Sequence, residues 1–480
     1  MKLSALLGAP CDPDPDVMDL VVDSRDATPG ALFAALPGGT RDGAAFAALA
    51  EAAGAVAVLA AEDAVVDVKT AIVVRDPSPR RRLAEIAARF HPGQPSVVVG
   101  VTGTNGKTSV AWFAARIWRA LGRKAGSLGT LGARAPGVDI ALDHTTPEPV
   151  TLHRTLSEMA IAGVERLAME VSSHGLDQRR ADAVSFAGAA FTNITRDHLD
   201  YHPTFDAYSQ AKLRLFTELV ARDGFAAVNA DGEGAARIAE AARARGLRTL
   251  TTGRAGEDLA LVDCAPTADG LDLRIRVAGE ELAASPPLIG AFQAENALLA
   301  AALVIGTGED AVAAVRAIEA LEGPPGRMQR AARVAGAGGY VDYAHTPDAV
   351  ATALVAARPH AAGRVFAIIG AGGDRDKDKR PLMGAAAAAG ADAVIVTDDN
   401  PRNEDAAEIR RMVRAGAPDA IEIADRAEAI AAGVAKLQAG DLLLICGKGH
   451  ETGQIVGGET ILFDDVAVAA AAAQAREAGR

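Results

Sequence analysis

The stretch Pro95-Ser-Val-Val-Val-Gly-Val-Thr-Gly-Thr-Asn-Gly-Lys-Thr-Ser109 decides the fold, because a β-branched apolar run changes there into glycines and then a lysine. Residues 97–101 have the composition of a buried strand, and residues 109–121 carry apolar side chains at helical spacing. The glycine-rich segment between them must turn sharply. Backbone N–H groups in such a turn, at the start of a helix, favour phosphate. The pattern predicts a strand, a phosphate loop and a helix.

The end of this loop has the side chains that a nucleotide site needs. Lys107 would neutralise β- and γ-phosphate charge, and the Thr108 hydroxyl would ligate Mg²⁺. Val101 stands where the full eight-residue pattern needs glycine, so the loop is a shortened form, and an ordinary turn is the alternative. The preceding strand and the following helix favour nucleotide binding. The predicted nucleotide-binding residues are Gly103, Thr104, Asn105, Gly106, Lys107, Thr108 and Ser109.

Composition narrows the class of protein. A chain of 480 residues has room for about three domains, and 49 % apolar with 4 % aromatic residues suits a soluble protein built from alanine, valine and leucine. The formal net charge of −13 argues against nucleic acid or an anionic membrane as the main partner. An anionic substrate must then be bound by local cations. The arginines inside motifs are therefore more informative than the total charge.

Cysteine usage and hydropathy predict a cytoplasmic protein. Cys11, Cys264 and Cys446 are widely spaced and lack metal-site spacing, so reduced thiols are expected. The apolar run at the start is short for a signal peptide, and no uncharged run approaches the ~18 residues of a membrane span.

The order of patterns along the chain predicts three domains, at 1–88, 89–323 and 324–480. The first has short strands near residues 19–25, 31–36 and 55–59. The second alternates strands and helices, typical of a parallel sheet covered on both faces, with antiparallel strands over residues 259–287. After the linker Glu322-Gly-Pro-Pro-Gly-Arg327 a second α/β pattern begins. We therefore expect a small N-terminal α/β domain, a central P-loop-type sheet and a C-terminal doubly wound, Rossmann-like domain.

Two apolar runs of the central domain end directly in candidate metal ligands. Glu170 follows one run, and Asp197 and His198 follow the other. Ligands of α/β sheets lie at the carboxyl ends of strands, so these side chains should face the phosphate loop and help to hold Mg²⁺. Taken singly, Glu170 could instead form an ion pair and His198 could cap a helix or fill the core.

The third domain has three strands that each end in a polar or glycine-rich loop. The run Asp374-Arg-Asp-Lys-Asp-Lys-Arg380 follows Gly370-Ala-Gly-Gly373, and Pro401 stiffens a turn carrying Asn400 and Arg402. Arginine suits bidentate capture of a carboxylate, although a solvated charge run and a surface ion pair are the alternatives. ATP and Mg²⁺ facing such a loop suggest phosphoryl transfer to a carboxylate, followed by attack of an amine.

Five motifs carry a resemblance to a known family: Gly103-Thr-Asn-Gly-Lys-Thr108, Glu170-Val-Ser-Ser-His174, Asn193-Ile-Thr-Arg-Asp-His-Leu-Asp200, Tyr343-Ala-His-Thr-Pro347 and Gly447-Lys-Gly-His-Glu451. In this order, over essentially the whole chain, they resemble the Mur ligases of bacterial cell-wall synthesis. Asp399-Asn-Pro-Arg402 resembles the signature of members that add meso-diaminopimelate to UDP-N-acetylmuramoyl-L-alanyl-D-glutamate. Members that add L-lysine depart from this pattern.

The resemblance implies one domain each for the UDP moiety, ATP and the amino acid. It implies catalytic roles for Lys107, Glu170, His198 and Lys212, the last as a carbamylated lysine (N6-carboxylysine) that positions Mg²⁺ with Thr108, Glu170 and His198. Adenine, ribose or phosphate contacts are implied at Asn296, Arg327, Asp342 and His345. The UDP-dipeptide would contact Ser24, Thr40, Arg41, Asp42, Gly43, Thr145, Thr146, Ser172, Gln178 and Arg180. Diaminopimelate would contact Arg375, Asp399, Asn400, Pro401, Arg402, Gly447 and Glu451.

The expected reaction is ATP-dependent amide formation through an acyl phosphate, by a monomer acting on small molecules. The nearest alternative is the ligase that adds L-lysine at the same step. A P-loop kinase or hydrolase would leave the third domain's loops without a purpose. A catalytically silent nucleotide-binding protein would not need the candidate metal and phosphate residues.

Overall fold

The computed structural model describes residues 1–38 and 42–479, which form two compact units. The first unit contains Met1–Thr251 and Ala302–Gly308, and the second contains Thr252–Ala301 and the chain from Glu309 onward. The three domain boundaries expected from the sequence stay a prediction.

The first unit has two sheets and eight helices among its described residues. The strands are β1 (Asp19–Val21), β2 (Ala31–Ala35), β3 (Ala57–Ala61), β4 (Ile72–Asp76), β5 (Val97–Thr102), β6 (Ala125–Gly129), β7 (Gly132–Ala135), β8 (Val138–Ile140), β9 (Arg166–Glu170), β10 (Phe186–Phe191), β11 (Val220–Asn229) and β12 (Arg248–Gly253), which crosses the unit boundary. The helices are α1 (Leu3–Leu7), α2 (Ala47–Ala52), α3 (Pro79–Phe90), α4 (Lys107–Ala120), α5 (Pro149–Ile161), α6 (Ser173–Asp177), α7 (Phe205–Arg214) and α8 (Ala235–Ala244).

The small sheet is parallel, with the order β1-β2-β3-β4. The sequence predicted three strands here and missed β4. Its side chains are mostly half-buried, so it lacks the fully apolar run of a central strand. The third strand also lies two residues later than predicted, at Ala57–Ala61.

The large sheet of the first unit has the order β12-β11-β10-β5-β9-β6-β7-β8. Strand β5 lies between β10 and β9 and pairs in parallel with both. The predicted strand and helix around the glycine-rich loop are confirmed as β5 and α4, and both bury their apolar side chains. The carboxyl ends of β5, β9 and β10 therefore lie side by side. These are the strand ends that carry the phosphate loop, Glu170 and the segment leading to His198.

The second unit has three antiparallel strands, a six-stranded sheet, a hairpin and seven helices among its described residues. The strands are β13 (Leu259–Pro266), β14 (Leu271–Val277), β15 (Glu280–Ala284), β16 (Gln329–Val334), β17 (Ala337–Asp342), β18 (Val365–Ile369), β19 (Ala393–Val396), β20 (Ile421–Glu422), β21 (Leu442–Cys446), β22 (Gly453–Val456) and β23 (Glu459–Leu462). The helices are α9 (Phe292–Gly306, whose last residues belong to the first unit), α10 (Ala311–Arg316), α11 (Pro347–Ala357), α12 (Lys379–Gly390), α13 (Ala406–Arg414), α14 (Arg426–Lys436) and α15 (Asp465–Ala478).

The six-stranded sheet has the order β16-β17-β21-β18-β19-β20, parallel except for β16. Separate apolar clusters cover its two faces, so it has helices on both sides. The predicted antiparallel strands over residues 259–287 are confirmed as β13, β14 and β15. The predicted α/β class, with parallel sheets between helices, is thus confirmed. No helix within the described ranges combines the length and apolar character needed to cross a bilayer.

Candidate active site

The phosphate loop is a tight turn between β5 and α4. Gly103 has a φ of +147°, and a Cβ at this position would collide with the Thr192 hydroxyl, so only glycine fits. The loop is fixed from β10, because the Thr104 N–H donates to the Asn193 carbonyl (2.8 Å) and the Asn105 N–H donates to the Asn193 Oδ1 (3.1 Å). The glycines therefore permit a shape that the neighbouring strand end holds in place.

Two lysines meet at the carbonyl of Gly103. The Lys107 Nζ donates to the carbonyls of Gly103 (2.9 Å) and Thr104 (2.7 Å), and the Lys212 Nζ donates to the same Gly103 carbonyl (2.7 Å). The structure therefore places Lys212, on α7, directly against the phosphate loop.

The environment of Lys212 is unusual for a lysine. Its side chain is about 1 % exposed, and its Nζ lies 4.4 Å from the centre of the Tyr208 ring. Burial, reinforced by the nearby charge of Lys107, lowers the pKa of Lys212 well below its usual range. The ammonium form is disfavoured here, so the amine has its lone pair available far below the pH at which an exposed lysine does.

Glu170 lies at the end of β9 and is buried. Its Oε2 accepts from the Thr108 hydroxyl (3.0 Å), and its Oε1 accepts from the Thr130 N–H (2.8 Å). Gly129 gives the carboxylate its space, since a Cβ there would overlap the Glu170 side chain. Glu170 and Thr108 thus present two hard oxygen ligands beside the phosphate loop, as Mg²⁺ prefers.

His198 lies in the segment after β10 in a left-handed conformation, with a φ of +53°. Its Nε2 is 3.5 Å from the Asp197 carboxylate, and its ring packs edge-on against His174 at 4.8 Å between ring centres. Within residues 1–38 and 42–479, no three His, Cys, Asp or Glu side chains are grouped so that they could hold a metal ion. A magnesium site here therefore needs other oxygen donors, such as phosphate, hydroxyl or a modified lysine.

The residues predicted to hold the dipeptide meet around the end of β9. The Thr146 hydroxyl donates to the Glu170 carbonyl (3.1 Å) and accepts from the Ser172 N–H (3.0 Å). Arg180 donates to the Thr146 carbonyl (2.7 Å) and to the Gln178 Oε1 (2.8 Å). The Thr145 hydroxyl lies 3.0 Å from the Thr130 hydroxyl, and the Thr130 N–H donates to Glu170. All five predicted residues, Thr145, Thr146, Ser172, Gln178 and Arg180, thus belong to one connected network.

Beside this network lies a cavity of about 150 Å³ whose lining includes two arginines. Arg180 was predicted as a site residue and Arg80 was not. Arg80 donates to the Pro37 carbonyl (2.6 Å), at the start of the loop that the sequence assigned to the uridine end. Arg80 belongs to a run of three arginines at the start of α3, and the sequence does not distinguish it from the other two.

The predicted uridine-end residues lie in the first unit where the structure describes them. Ser24 begins a short 3-10 turn, and Asp42 accepts from the Ala44 N–H (3.0 Å) to cap the next one. The Gly43 N–H donates to the Leu36 carbonyl. Thr40 and Arg41 lie outside the described residues.

Four predicted nucleotide residues belong to the second unit. Asp342, at the end of β17, accepts from the N–H groups of Met328 (2.8 Å) and Ala344 (2.9 Å), and burial raises its pKa. The Arg327 guanidinium stacks over the Tyr343 ring at 4.8 Å. The remaining two make contacts of their own: His345 Nδ1 with the Tyr343 carbonyl (2.8 Å), and Asn296 Nδ2 with the Gln293 Oε1 (3.0 Å).

Three loops of the second unit, residues 447–451, 370–380 and 399–402, follow the strands β21, β18 and β19. These strands are neighbours in the sheet, so the structure brings the three loops together. Arg402, with a φ of +52°, donates to the Gly373 carbonyl (2.8 Å). The Asn400 Nδ2 donates to the Glu451 Oε2 (2.9 Å). The Gly447 N–H donates to the Asp342 carbonyl (3.1 Å). The last members of the predicted set are Arg375, whose Nη1 donates to the Asp374 carbonyl, Asp399, whose Oδ1 accepts from the Asn400 N–H, and Pro401, which stands between Asn400 and Arg402.

The hairpin β22–β23 forms hydrogen bonds with the Asp399–Arg402 turn and holds it in place. The Arg402 N–H donates to the Ile455 carbonyl (3.0 Å), and the Gln454 Nε2 donates to the Asp399 carbonyl (2.7 Å). The sequence did not predict this hairpin. Its two strands are short and mostly exposed, so they lack the alternating apolar pattern from which a strand is predicted.

Three fully buried cations also support these loops, namely Arg380, Arg426 and Lys448. Arg426 forms a bidentate ion pair with Asp465 (2.7 Å to each carboxylate oxygen) and donates to the carbonyls of Asp398 and Cys446, just before two of the loops. Arg380 and Lys448 lie inside motifs that the sequence singled out, but their burial could not be read there. Arg426 gave no local signal.

Comparison with known proteins agrees with this arrangement. Three family descriptions match: "Mur ligase family, catalytic domain" at residues 18–91, "Mur ligase middle domain" at 101–304 and "Mur ligase, glutamate ligase domain" at 326–449. The curated UDP-N-acetylmuramoyl-L-alanyl-D-glutamate--2,6-diaminopimelate ligase of Bradyrhizobium diazoefficiens is 48 % identical over 487 residues, covering 100 % of both chains. The protein with the same name from Caulobacter vibrioides is 48 % identical over 97 % of both.

Solved structures agree as well. A structure of a UDP-N-acetylmuramoyl-L-alanyl-D-glutamate--2,6-diaminopimelate ligase superimposes with a TM-score of 0.74 at 32 % identity, covering 99 % of each chain. MurF ligase from Thermotoga maritima, in complex with ADP, has a TM-score of 0.59 at 18 % identity over 90 % of this chain and 94 % of its own, a likeness of fold alone. The resemblance found in the motifs is confirmed, and the chain belongs to the Mur ligase family.

Proposed function

We infer that this chain is an ATP-dependent ligase that joins meso-2,6-diaminopimelate to the D-glutamate γ-carboxylate of UDP-N-acetylmuramoyl-L-alanyl-D-glutamate, in peptidoglycan precursor synthesis. The observation that carries this inference is the 48 % identity over the full length of a relative with that name. The Asp399-Asn-Pro-Arg402 turn, set against the neighbouring glycine-rich loop, supports the choice of amino acid.

The first half of the reaction belongs to the phosphate loop. The γ-carboxylate attacks the γ-phosphorus of ATP, which releases ADP and forms an acyl phosphate. Backbone N–H groups of residues 103–109 and the Lys107 ammonium bind the phosphates. Lys107 already lies against the loop through the carbonyls of Gly103 and Thr104, so a small movement of its Nζ brings the charge to a bound phosphate.

The oxygen ligands beside the loop fit Mg²⁺. Thr108 and Glu170 are 3.0 Å apart, and we assign them, with His198 and a carbamylated Lys212, to hold the ion. Bound there, Mg²⁺ would neutralise charge on the phosphate oxygens.

Carbamylation of Lys212 is supported by its environment. Only the neutral amine adds to CO₂, forming an N–C bond and losing a proton to give a carbamate. The buried position and lowered pKa of Lys212 favour that neutral amine. The carbamate would replace a cation by a carboxylate-like ligand next to the Gly103 carbonyl.

The second half of the reaction belongs to the loops of the second unit. The amine of diaminopimelate attacks the acyl phosphate through a tetrahedral intermediate and releases phosphate. We assign Arg375 to one carboxylate, and Asn400, Arg402, Gly447 and Glu451 to the distal centre, with Asp399 and Pro401 shaping the turn. L-Lysine has no distal carboxylate, so it would leave the Arg402 guanidinium without an anionic partner and be rejected.

The remaining assignments are proposals of the same kind. Ser24, Thr40, Arg41, Asp42 and Gly43 would bind the uridine end, and the Thr146–Arg180 network would bind the muramoyl dipeptide. Asn296, Arg327, Asp342 and His345 would contact the rest of ATP. We retain the domains 1–88, 89–323 and 324–480, supported by family matches at 18–91, 101–304 and 326–449. We propose a cytoplasmic monomer without nucleic-acid or membrane partners.

The direct test is phosphate release from ATP with Mg²⁺ and UDP-N-acetylmuramoyl-L-alanyl-D-glutamate, in parallel with meso-diaminopimelate and L-lysine, with the product mass measured. Product only with diaminopimelate supports the proposal. Preference for lysine would keep the ligase and overturn the specificity. Phosphate release without any amide product would favour a kinase or hydrolase.

A further inference from the structure

Lys448 lies directly after β21 and is fully buried, which is rare for a lysine. Its Nζ donates to the Asn400 Oδ1 (3.0 Å) and to the Glu451 Oε2 (3.2 Å). With a side-chain exposure of 0 %, Lys448 has no surface with which to touch a substrate. Its partners, by contrast, are two residues assigned to the amino-acid site.

Lys448 is one of three groups that fix the orientation of the Asn400 amide. The Asn400 Oδ1 accepts from the Lys448 Nζ and from the Ile455 N–H (3.0 Å), while the Nδ2 donates to Glu451 (2.9 Å). A flipped amide would set its NH₂ group against two donors and its oxygen against a carboxylate. The orientation is therefore fixed, and the second N–H of Asn400 remains for another acceptor.

Lys448 also holds the Glu451 carboxylate. Glu451 is about a third exposed, and its Oε2 receives both Lys448 and Asn400. One carboxylate oxygen thus anchors the side chain, and the other can accept from a ligand. Together the two partners present one N–H donor and one carboxylate oxygen, which suits a centre carrying both a carboxylate and an ammonium group.

We propose that Lys448 is the positioning residue of the amino-acid site, acting through Asn400 and Glu451 without touching substrate. The ligand class is an amino acid whose distal centre is zwitterionic. This inference rests on the proposed function. Without the ammonium, the Asn400 oxygen loses one of its two donors, and Glu451 loses its cation, so both side chains are held less firmly. Binding of diaminopimelate then weakens while the phosphate loop is unaffected.

The test is Lys448→Met, which keeps an unbranched side chain and removes the ammonium, with exposed Lys436→Met as the matched control. We expect the KM for meso-diaminopimelate to rise roughly 10- to 100-fold. The KM values for ATP and the UDP-dipeptide should change less than about two-fold, and selectivity over L-lysine should fall. An unchanged diaminopimelate KM, or an equal rise in all three KM values with a lower melting temperature, would overturn the proposal.

A crystal structure of Lys448→Met decides the matter independently of activity. We expect the Asn400 side chain or the Glu451 carboxylate to be displaced, and both side chains in their original places would contradict the proposal. If this variant does not fold, Lys448→Met/Glu451→Gln leaves no uncompensated charge, and the position of its Asn400 side chain gives the same answer. Failure of the wild-type chain to form an amide product would refute the proposed function, whereas these structures test Lys448 alone.

Discussion

The phosphate loop of the first unit and the loops of the second unit that we assign to the amino acid are held in different ways. We call the latter, residues 370–380, 399–402 and 447–451, the amino-acid loops. The phosphate loop is fixed by hydrogen bonds to its own backbone groups, such as the Thr104 N–H to the Asn193 carbonyl and the Lys212 Nζ to the Gly103 carbonyl. The amino-acid loops are fixed by buried charges, including the Arg426–Asp465 pair and Lys448. Every nucleoside triphosphate presents the same phosphates, so a backbone site suffices. Selecting one amino acid needs side chains set in fixed positions.

The comparison predicts that changes in the phosphate loop abolish all chemistry, and Lys107→Met should have the largest effect. Removing its charge from the γ-phosphate site should lower kcat by roughly 10³-fold with either amino acid. Phosphate release at saturating substrates measures this. Exposed Lys124→Met serves as the control, and near-normal turnover in Lys107→Met would refute the phosphate-loop assignment.

Lys212→Ala should lower kcat by roughly 10²-fold, because it removes the proposed carbamate ligand. Short carboxylic acids, such as acetate or propionate, should fit the space and restore part of the activity. Removing CO₂ and bicarbonate from the wild-type enzyme should cause a similar, reversible loss. Carbamylation would be contradicted if carboxylic acids did not restore activity to Lys212→Ala and removal of CO₂ did not lower the activity of the wild type.

Arg402→Ala should raise the KM for diaminopimelate roughly 10²-fold, since a carboxylate loses a charged partner. The KM for ATP should stay unchanged, because the Arg402 guanidinium donates to the Gly373 carbonyl and not to a residue assigned to ATP. Steady-state kinetics with exposed Arg411→Ala as the control tests this. An unaltered diaminopimelate KM would exclude Arg402 from the site.

The smallest effect concerns pH and the loop before α12. Glu404 pairs with buried Arg380 (2.8 and 3.0 Å) and accepts from the Asp374 N–H, and these contacts lower its pKa to about 2. A lowered carboxyl pKa stabilises the fold above its unfolded value of about 4.5, and this contribution is lost as the pH falls toward 2. Melting temperatures should therefore drop over that range in the wild type, and less in Glu404→Gln. Identical pH profiles would contradict the pairing, and exposed Glu459→Gln is the control.

The sequence predicted features whose cause is local. The turn at Gly103, the start of α4 and the polar ends of β9, β10, β18, β19 and β21 follow from residue types and period. The burial of Lys212 could not be predicted, because a helical lysine is normally exposed and only tertiary packing covers this one. The Arg426–Asp465 pair joins residues 39 positions apart, so no local pattern carries it. The orientation of Asn400 likewise depends on Lys448 and a distant hairpin.

The most direct test of whether the phosphate loop and the amino-acid loops serve separate steps is trapping of the acyl phosphate with hydroxylamine. Hydroxylamine would attack the activated γ-carboxylate and form a hydroxamate without diaminopimelate. Arg402→Ala should form hydroxamate at close to the wild-type rate while losing tripeptide formation, and Lys107→Met should form neither. Loss of hydroxamate in Arg402→Ala, or its retention in Lys107→Met, would contradict the claim that the phosphate loop activates the carboxylate and the amino-acid loops select the amine.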